Sequence, residues 1–257
     1  MSVLGIDVGS ISTKAVLLTD NQQFCIIVPT GHSPRQAGQE ACSLLLNQSG
    51  YTLKGINYVV GTGYGRVALP MAHKTVTEIT CHARGAAALV SGSDLVIDIG
   101  GQDSKVIKID PRGQVTDFLM NDKCAAGTGR FLQVTAAALG LDVSELAKTS
   151  RECQPLMINS MCAVFAESEV IGLLAQGQPP GNIVAGLHQA IARRIGTMAQ
   201  KLHPIHQVTF TGGVARNEGM RQALEKILQI PVLVPSDCQI AGALGAALIA
   251  HDLGNTR

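Results

Sequence analysis

Hydrophobic and polar positions along the chain follow a short period at first and a longer one later. Val3 to Asp7 is an apolar run ending on an acid; Ala15 to Leu18 is a second run and Phe24 to Val28 a third. Thr19-Asp20-Asn21 is the turn between the last two, and Gly9-Ser10-Ile11-Ser12-Thr13-Lys14 separates the first two. Short apolar runs bounded by Gly, Ser and Asn predict a β-meander. After Pro34 the spacing becomes helical over Gln36 to Leu46, returns to a strand over Ile56 to Val60, and is helical again from Glu78 to Val90. Gly61-Thr62-Gly63-Tyr64-Gly65 reads as a tight connection, since its spacing does not match a dinucleotide fingerprint.

The opening pattern then comes back. Ile97-Asp98-Ile99-Gly100-Gly101-Gln102-Asp103-Ser104-Lys105 matches Ile6-Asp7-Val8-Gly9-Ser10-Ile11-Ser12-Thr13-Lys14 at Ile, Asp, the first Gly and the final Lys. Val8/Ile99 and Thr13/Ser104 are conservative pairs. Each copy is followed by an alternating run (here Val106 to Ile109), a turn (Asp110 to Gly113) and a third run, Val115 to Leu119. The chain is therefore a diverged duplication of one strand–loop–strand unit, which makes it an α/β protein. Farther on, Phe131 to Leu139 has helical spacing that Gly140 can end. A long helix is expected after Pro179-Pro180-Gly181, with Ile183, Leu187, Ile191, Ile195, Met198 and Leu202 on one face. Strands at Val208 to Phe210 and Val232 to Val234, helical residues to Leu228, and a small-residue helix from Ala241 to Ala250 complete the pattern.

Composition narrows the function. The 257 residues are 46% hydrophobic and 15% charged, with a formal charge of +1. That balance gives no basis for binding nucleic acid or an anionic membrane, and 3% aromatics without Trp argue against base-stacking surfaces. No uninterrupted apolar run reaches spanning length, and Met1 to Gly5 shows no basic leader segment. Seven widely spaced cysteines, an odd number, do not form a disulfide framework. The setting expected is reducing and cytoplasmic.

An aspartate at the end of an apolar strand is costly to bury unless a metal or hydrogen bonds compensate it. Asp7 and Asp98 both sit there, each followed within two positions by a glycine that lets backbone approach a ligand. The hairpin Gly9 to Lys14 can aim N–H and hydroxyl groups at phosphates, with Lys14 as a point charge, and Gly100-Gly101-Gln102 can do the same. Two acids and two N–H-rich turns fit Mg²⁺-nucleotide chemistry, because Mg²⁺ keeps waters and takes few direct carboxylates. The bland alternative is two ordinary hairpins with Asp at a turn. Cys124, in Asn121-Asp122-Lys123-Cys124-Ala125-Ala126-Gly127-Thr128-Gly129-Arg130, and Cys162, in Ile158-Asn159-Ser160-Met161-Cys162-Ala163-Val164-Phe165, each precede a helical run. A cysteine near a helix start faces unpaired N–H groups, which lowers its pKa and suits a metal ligand. The competing reading is a pair of small core hydrophobes.

The set Gly5-Ile6-Asp7-Val8-Gly9-Ser10, Asp98-Ile99-Gly100-Gly101-Gln102-Asp103 and Thr211-Gly212-Gly213-Val214-Ala215-Arg216-Asn217 resembles the actin, Hsp70 and sugar-kinase superfamily. Lys123 to Gly129 and Cys162 to Glu169 narrow the resemblance to the ATP-dependent activators of 2-hydroxyacyl-CoA dehydratases, a family shared with the ATPase subunits of benzoyl-CoA reductase. The resemblance implies two duplicated ribonuclease-H-like halves with a nucleotide cleft between them. Residues 1–90 would form the first, with the helix 241–253 packing back on it, and 91–257 the second, carrying the cysteines. It implies ATP, Mg²⁺ and one 4Fe–4S cluster shared across a homodimer, with Cys124 and Cys162 as its ligands. Ser10, Ile11, Ser12, Thr13 and Lys14, with Gly100, Gly101 and Gln102, would grip the phosphates. Asp7 and Asp98 would organise Mg²⁺ through water, and Gln102 and Asp103 would position the attacking water. Gly212 and Gly213 would border the adenosine, with Gln239 and Ala241-Gly242-Ala243 lining the same cleft.

A cubane wants about four thiolates, so two per chain imply a two-fold axis through the cluster. The activity implied is ATP-driven donation of one low-potential electron to a partner iron–sulfur dehydratase, reductase or double-cluster protein. A coupling of roughly 1–3 kcal/mol between sites moves a one-electron potential by only about 40–130 mV. Uphill transfer would therefore need docking geometry and irreversible hydrolysis too. The alternatives are an amino-sugar-type kinase of the same superfamily, which has no use for Cys124 and Cys162, and a nucleotide-sensing scaffold.

Overall fold

The computed structural model describes residues 1–159 and 163–255. In chain order the first elements are β1 (Val3–Val8), β2 (Ser12–Leu18), β3 (Gln23–Pro29), α1 (Pro34–Ser49), β4 (Tyr58–Thr62), β5 (Lys74–Thr75) and α2 (Glu78–Leu89). Next come β6 (Leu95–Ile99), β7 (Ser104–Ile109), β8 (Val115–Asn121), α3 (Gly129–Ala138), α4 (Leu146–Thr149), α5 (Ala163–Ala175) and α6 (Pro180–Gln200). The chain closes with β9 (Val208–Thr211), α7 (Glu218–Leu228), β10 (Val232–Leu233) and α8 (Ala241–Gly254). Two compact units result: residues 1–96 with 107–117 and 235–257, and residues 97–106 with 118–234.

The first unit is built on a sheet ordered β3-β2-β1-β4-β5. The meander is antiparallel, and Asp7 lies directly across from Lys14. β2 starts at Ser12, three residues before its apolar run, because Ser12, Thr13 and Lys14 still pair with Pro29, Val28 and Ile27. β4 joins β1 in parallel and takes Gly61 and Thr62 into the ladder, opposite Ile6 and Asp7. The connection expected from Gly61 onward thus begins at Gly63, whose φ of 86° makes the turn.

Both faces of β1 are covered, which is why it reads as unbroken apolar sequence rather than as an alternation. Leu4, Ile6 and Val8 share a core with Ala41 and Leu45 of α1, and each such buried aliphatic contributes about 1.5–3 kcal/mol. On the other side Val3 packs with Ala246 and Ala250 of α8, and Val16 of β2 with Ala243 and Ala247. A side chain at Gly5 would overlap the backbone of Ala243 and Ala247, so β1 carries glycine where α8 crosses it. α1 opens with the Ser33 hydroxyl accepting from the Gln36 amide, has Pro34 in its first turn, and ends on Gly50 at φ 75°.

The second sheet is ordered β10-β9-β6-β7-β8. α6 buries Ile183, Leu187, Ile191 and Ile195, the face its spacing predicts, with Met198 half-buried. α3 runs from Gly129, two residues ahead of the predicted start, and Gly140 follows it at φ 68°. No helix among the described residues is long and apolar enough to cross a membrane.

Candidate functional site

In the first unit Asp7 ends β1, 3% exposed. Lys14 Nζ stands 3.6 Å from its Oδ2. Gly63, with positive φ, brings backbone against Asp7 Oδ1, and a Cβ there would lie 2.6 Å from the Val8 carbonyl oxygen. A Cβ on Gly242 of α8 would lie 2.9 Å from both Asp7 Oδ2 and Nε2 of the buried His82. The loop between β1 and β2 closes with the Gly9 amide donating to the Ser12 carbonyl at 3.2 Å. Ser10 and Ser12 are half-buried and Ile11 is exposed. Thr13 is different. The Thr30 hydroxyl donates to the Gly9 carbonyl at 2.8 Å, so its one proton is spent and Thr13 must donate to Thr30 across their 2.9 Å contact. The Thr13 hydroxyl therefore braces the base of the loop from inside.

In the second unit Asp98 ends β6, 2% exposed. Its Oδ1 accepts from the Thr211 hydroxyl at 2.9 Å, and its Oδ2 lies 3.4 Å from Lys105 Nζ. The same Nζ is 2.8 Å from Asp103 Oδ2. Gly212, at φ 91°, presses on the Ile99 carbonyl, and a Cβ there would sit 3.0 Å from Asp98 Oδ1. Gly100 donates to the Asp103 carbonyl at 3.0 Å, and a Cβ on it would be 2.6 Å from Asp103 Oδ1. Gln102 and Gly213 are exposed. Gln239 is half-buried just ahead of α8, in the first unit.

Cys124 is half-buried in the turn between β8 and α3. The Asn121 amide donates to the Cys124 carbonyl at 2.9 Å and the Ala126 carbonyl at 3.0 Å, while the Thr128 hydroxyl donates to the Ala125 carbonyl at 2.6 Å. Gly127, at φ 87°, leaves room for the Arg194 chain, whose Cδ would be 3.1 Å from a Cβ there. The first two amides of α3 do not point at the thiol: Gly129 donates to the Gly100 carbonyl and Arg130 to the Gly101 carbonyl, each at 2.8 Å. Those two amides tie α3 to the Gly100–Gly101 loop, and Cys124 sits on a braced turn just ahead of the helix. Cys162 lies outside the described residues. Among the described residues no group of three or more His, Cys, Asp or Glu could hold a metal. Burial pushes the Cys42 thiol up, and it pushes Cys81 up to about 12, which fits core residues.

Sequence reasoning missed three features. Lys105 was matched to Lys14 but given no role. Thr62-Gly63 repeats the Thr211-Gly212 arrangement, a Thr–Gly step at the end of the strand beside each aspartate's strand; the shared Thr–Gly dipeptide was the available signal. Third, Asn217 is fixed from behind. Its amide donates to His188 Nε2 at 3.1 Å, and its carbonyl oxygen accepts from Met220 at the start of α7. Nε2 as acceptor places the proton on Nδ1, which faces Ser150 Oγ at 3.3 Å.

A family model described as the BadF/BadG/BcrA/BcrD ATPase family matches residues 4–250. The chain is similar to the crystal structure of the (R)-2-hydroxyglutaryl-CoA dehydratase component A of Acidaminococcus fermentans, with a TM-score of 0.95, 40% identity and 99% of each chain covered. It is also similar to the activator of the 2-hydroxyisocaproyl-CoA dehydratase from Clostridium difficile with bound ADPNP, at TM-score 0.92 and 40% identity over 100% of this chain and 96% of that one. A ROK-family glucokinase from Streptomyces griseus, 15% identical with a TM-score of 0.60 over 98% of this chain and 100% of that one, shares the fold alone. Two mixed sheets flanked by helices, in the actin, Hsp70 and sugar-kinase manner, are therefore the architecture expected from the sequence.

Proposed function

This chain belongs to the BadF/BadG/BcrA/BcrD ATPase family, and on that premise we propose that it is an iron–sulfur activator that hydrolyses ATP to pass one low-potential electron to a partner 2-hydroxyacyl-CoA dehydratase or related double-cluster protein. The observation that carries this is full-length similarity, at 40% identity, to component A of one 2-hydroxyacyl-CoA dehydratase and to the activator of another, the latter with bound ADPNP. ATP phosphates are assigned to Ser10 to Lys14 and to Gly100 to Gln102, with Thr13 serving from inside the loop. Asp7 and Asp98 organise Mg²⁺ through water; Gln102 and Asp103 orient the attacking water. Gly212, Gly213 and Gln239 border the adenosine. The duplicated halves are assigned to 1–90 and 91–257, with α8 packing back on the first.

The fit of a 4Fe–4S group rests on Cys124: a half-buried thiol on a turn braced by Asn121, Thr128 and Arg194 suits a ligand that must keep its place. One such thiol among the described residues falls short of the roughly four thiolates a cubane takes, so the reading needs Cys162 and a second copy of the chain. When bound, the cluster supplies one-electron chemistry at low potential. The same reading sets the protein in a reducing cytoplasm as a homodimer. Anaerobic purification, with iron and sulfide analysis and EPR of dithionite-reduced protein with and without ATP, tests it. About four irons per dimer are expected, and a signal that changes with nucleotide. Colourless monomer after iron and sulfide are supplied would overturn the electron-donor reading. Full iron content in Cys124→Ala would remove that residue as a ligand.

A further inference from the structure

Lys105 is among the largest fully buried side chains of the described residues, 2% exposed, and its ammonium contacts two carboxylates. A buried ammonium is tolerated only with partners that replace its water, and here they are Asp98 at 3.4 Å and Asp103 at 2.8 Å. Asp98 is thereby gripped from two sides, with Thr211 on Oδ1 and Lys105 on Oδ2. Asp103 is likewise held beside Gly100. Two carboxylates converging on one point repel each other unless a cation sits between them. Lys105 is that cation. Lys14, its counterpart in the repeat, is 15% exposed over its side chain and pairs with one carboxylate at a looser 3.6 Å.

Resting on the ATPase reading above, we infer that Lys105 is not a phosphate ligand but a positioning residue: it holds the Asp98 and Asp103 carboxylates in place, one for Mg²⁺ and one for the attacking water. To reach a phosphate, the buried Nζ would have to abandon both carboxylates. Its loss should therefore separate binding from turnover, which loss of a phosphate ligand would not.

The test uses the full chain with Mg²⁺, measuring affinity for a methylanthraniloyl-labelled ADP by fluorescence and single-turnover hydrolysis of ATP. Lys105→Met should bind the labelled nucleotide within about threefold of the parent and hydrolyse ATP about a hundredfold more slowly, the scale of a misplaced reacting group. A parallel loss of affinity and rate would make Lys105 a phosphate ligand, and an unchanged rate would give it no role; either overturns the inference. Thr211→Val, which releases the other side of Asp98, should show the same split and decides the matter alone if Lys105→Met does not fold. Asp98→Asn is the control on the premise. Hydrolysis at the parent rate in that variant would sink the ATPase assignment itself, whereas an inactive Asp98→Asn beside a fully active Lys105→Met would sink the role of Lys105 alone.

Discussion

The two aspartates that end β1 and β6 come from the same repeat yet are held differently. Asp7 has one lysine at 3.6 Å, and that lysine is partly open to solvent. Asp98 has a lysine at 3.4 Å that it shares with Asp103, and a threonine hydroxyl at 2.9 Å on its other oxygen. Each carboxylate also faces a positive-φ glycine, Gly63 in one case and Gly212 in the other. Duplication preserved the backbone frame, and side-chain chemistry then diverged within it. The first copy has a partly exposed lysine beside one carboxylate; the second has a buried lysine bridging its own two acids. Asp103 supplies the difference, because the matching position in the first copy is Ser12, which carries no charge.

The comparison breaks most directly at Asp98. Asp98→Ala should cut ATP hydrolysis by about 10³-fold, the range for removing a preorganised electrostatic group, while iron content stays at the parent level; phosphate-release assays and iron analysis check both. The shared frame is tested by Gly63→Ala and Gly212→Ala. Each puts a Cβ against backbone at positive φ, and each should lose about 3 kcal/mol or more in urea unfolding. Gly31→Ala, at φ 59° with nothing within 4 Å of the added atom, should lose only about 1 kcal/mol. If Gly212 proved as tolerant as Gly31, the parallel between the halves would fail.

His188 sharpens the comparison from behind the second copy. Burial pushes its pKa down from 6.5 to about 4, so the fold favours the neutral ring that Asn217 donates to. Its stability contribution is intact above pH 6.5, where the unfolded ring is also neutral, and drains away as the pH falls toward 4. The total should be about 3 kcal/mol across that window, and His188→Gln should flatten that part of the stability–pH curve. A smaller effect on function is expected at Lys14. Lys14→Met should weaken nucleotide binding about tenfold, measured by titration with labelled ADP, with hydrolysis of bound ATP changed less than in Lys105→Met.

The sequence by itself determined the repeat, and with it the two acidic strand ends, since buried strands need apolar runs and turns need glycine regardless of what surrounds them. It also gave the apolar face of α6 and the positions of most strands, because periodicity is a local consequence of backbone geometry. What only the tertiary structure decided was which polar groups meet. That Thr13 points inward to Thr30, that Lys105 bridges Asp98 and Asp103, and that the first amides of α3 bond to Gly100 and Gly101 all depend on residues distant in the chain or on side-chain direction. Matching letters such as Lys14 and Lys105 cannot reveal this. A charge's role is set by the partners within hydrogen-bonding distance and by the water it has lost, and both are properties of the folded surroundings.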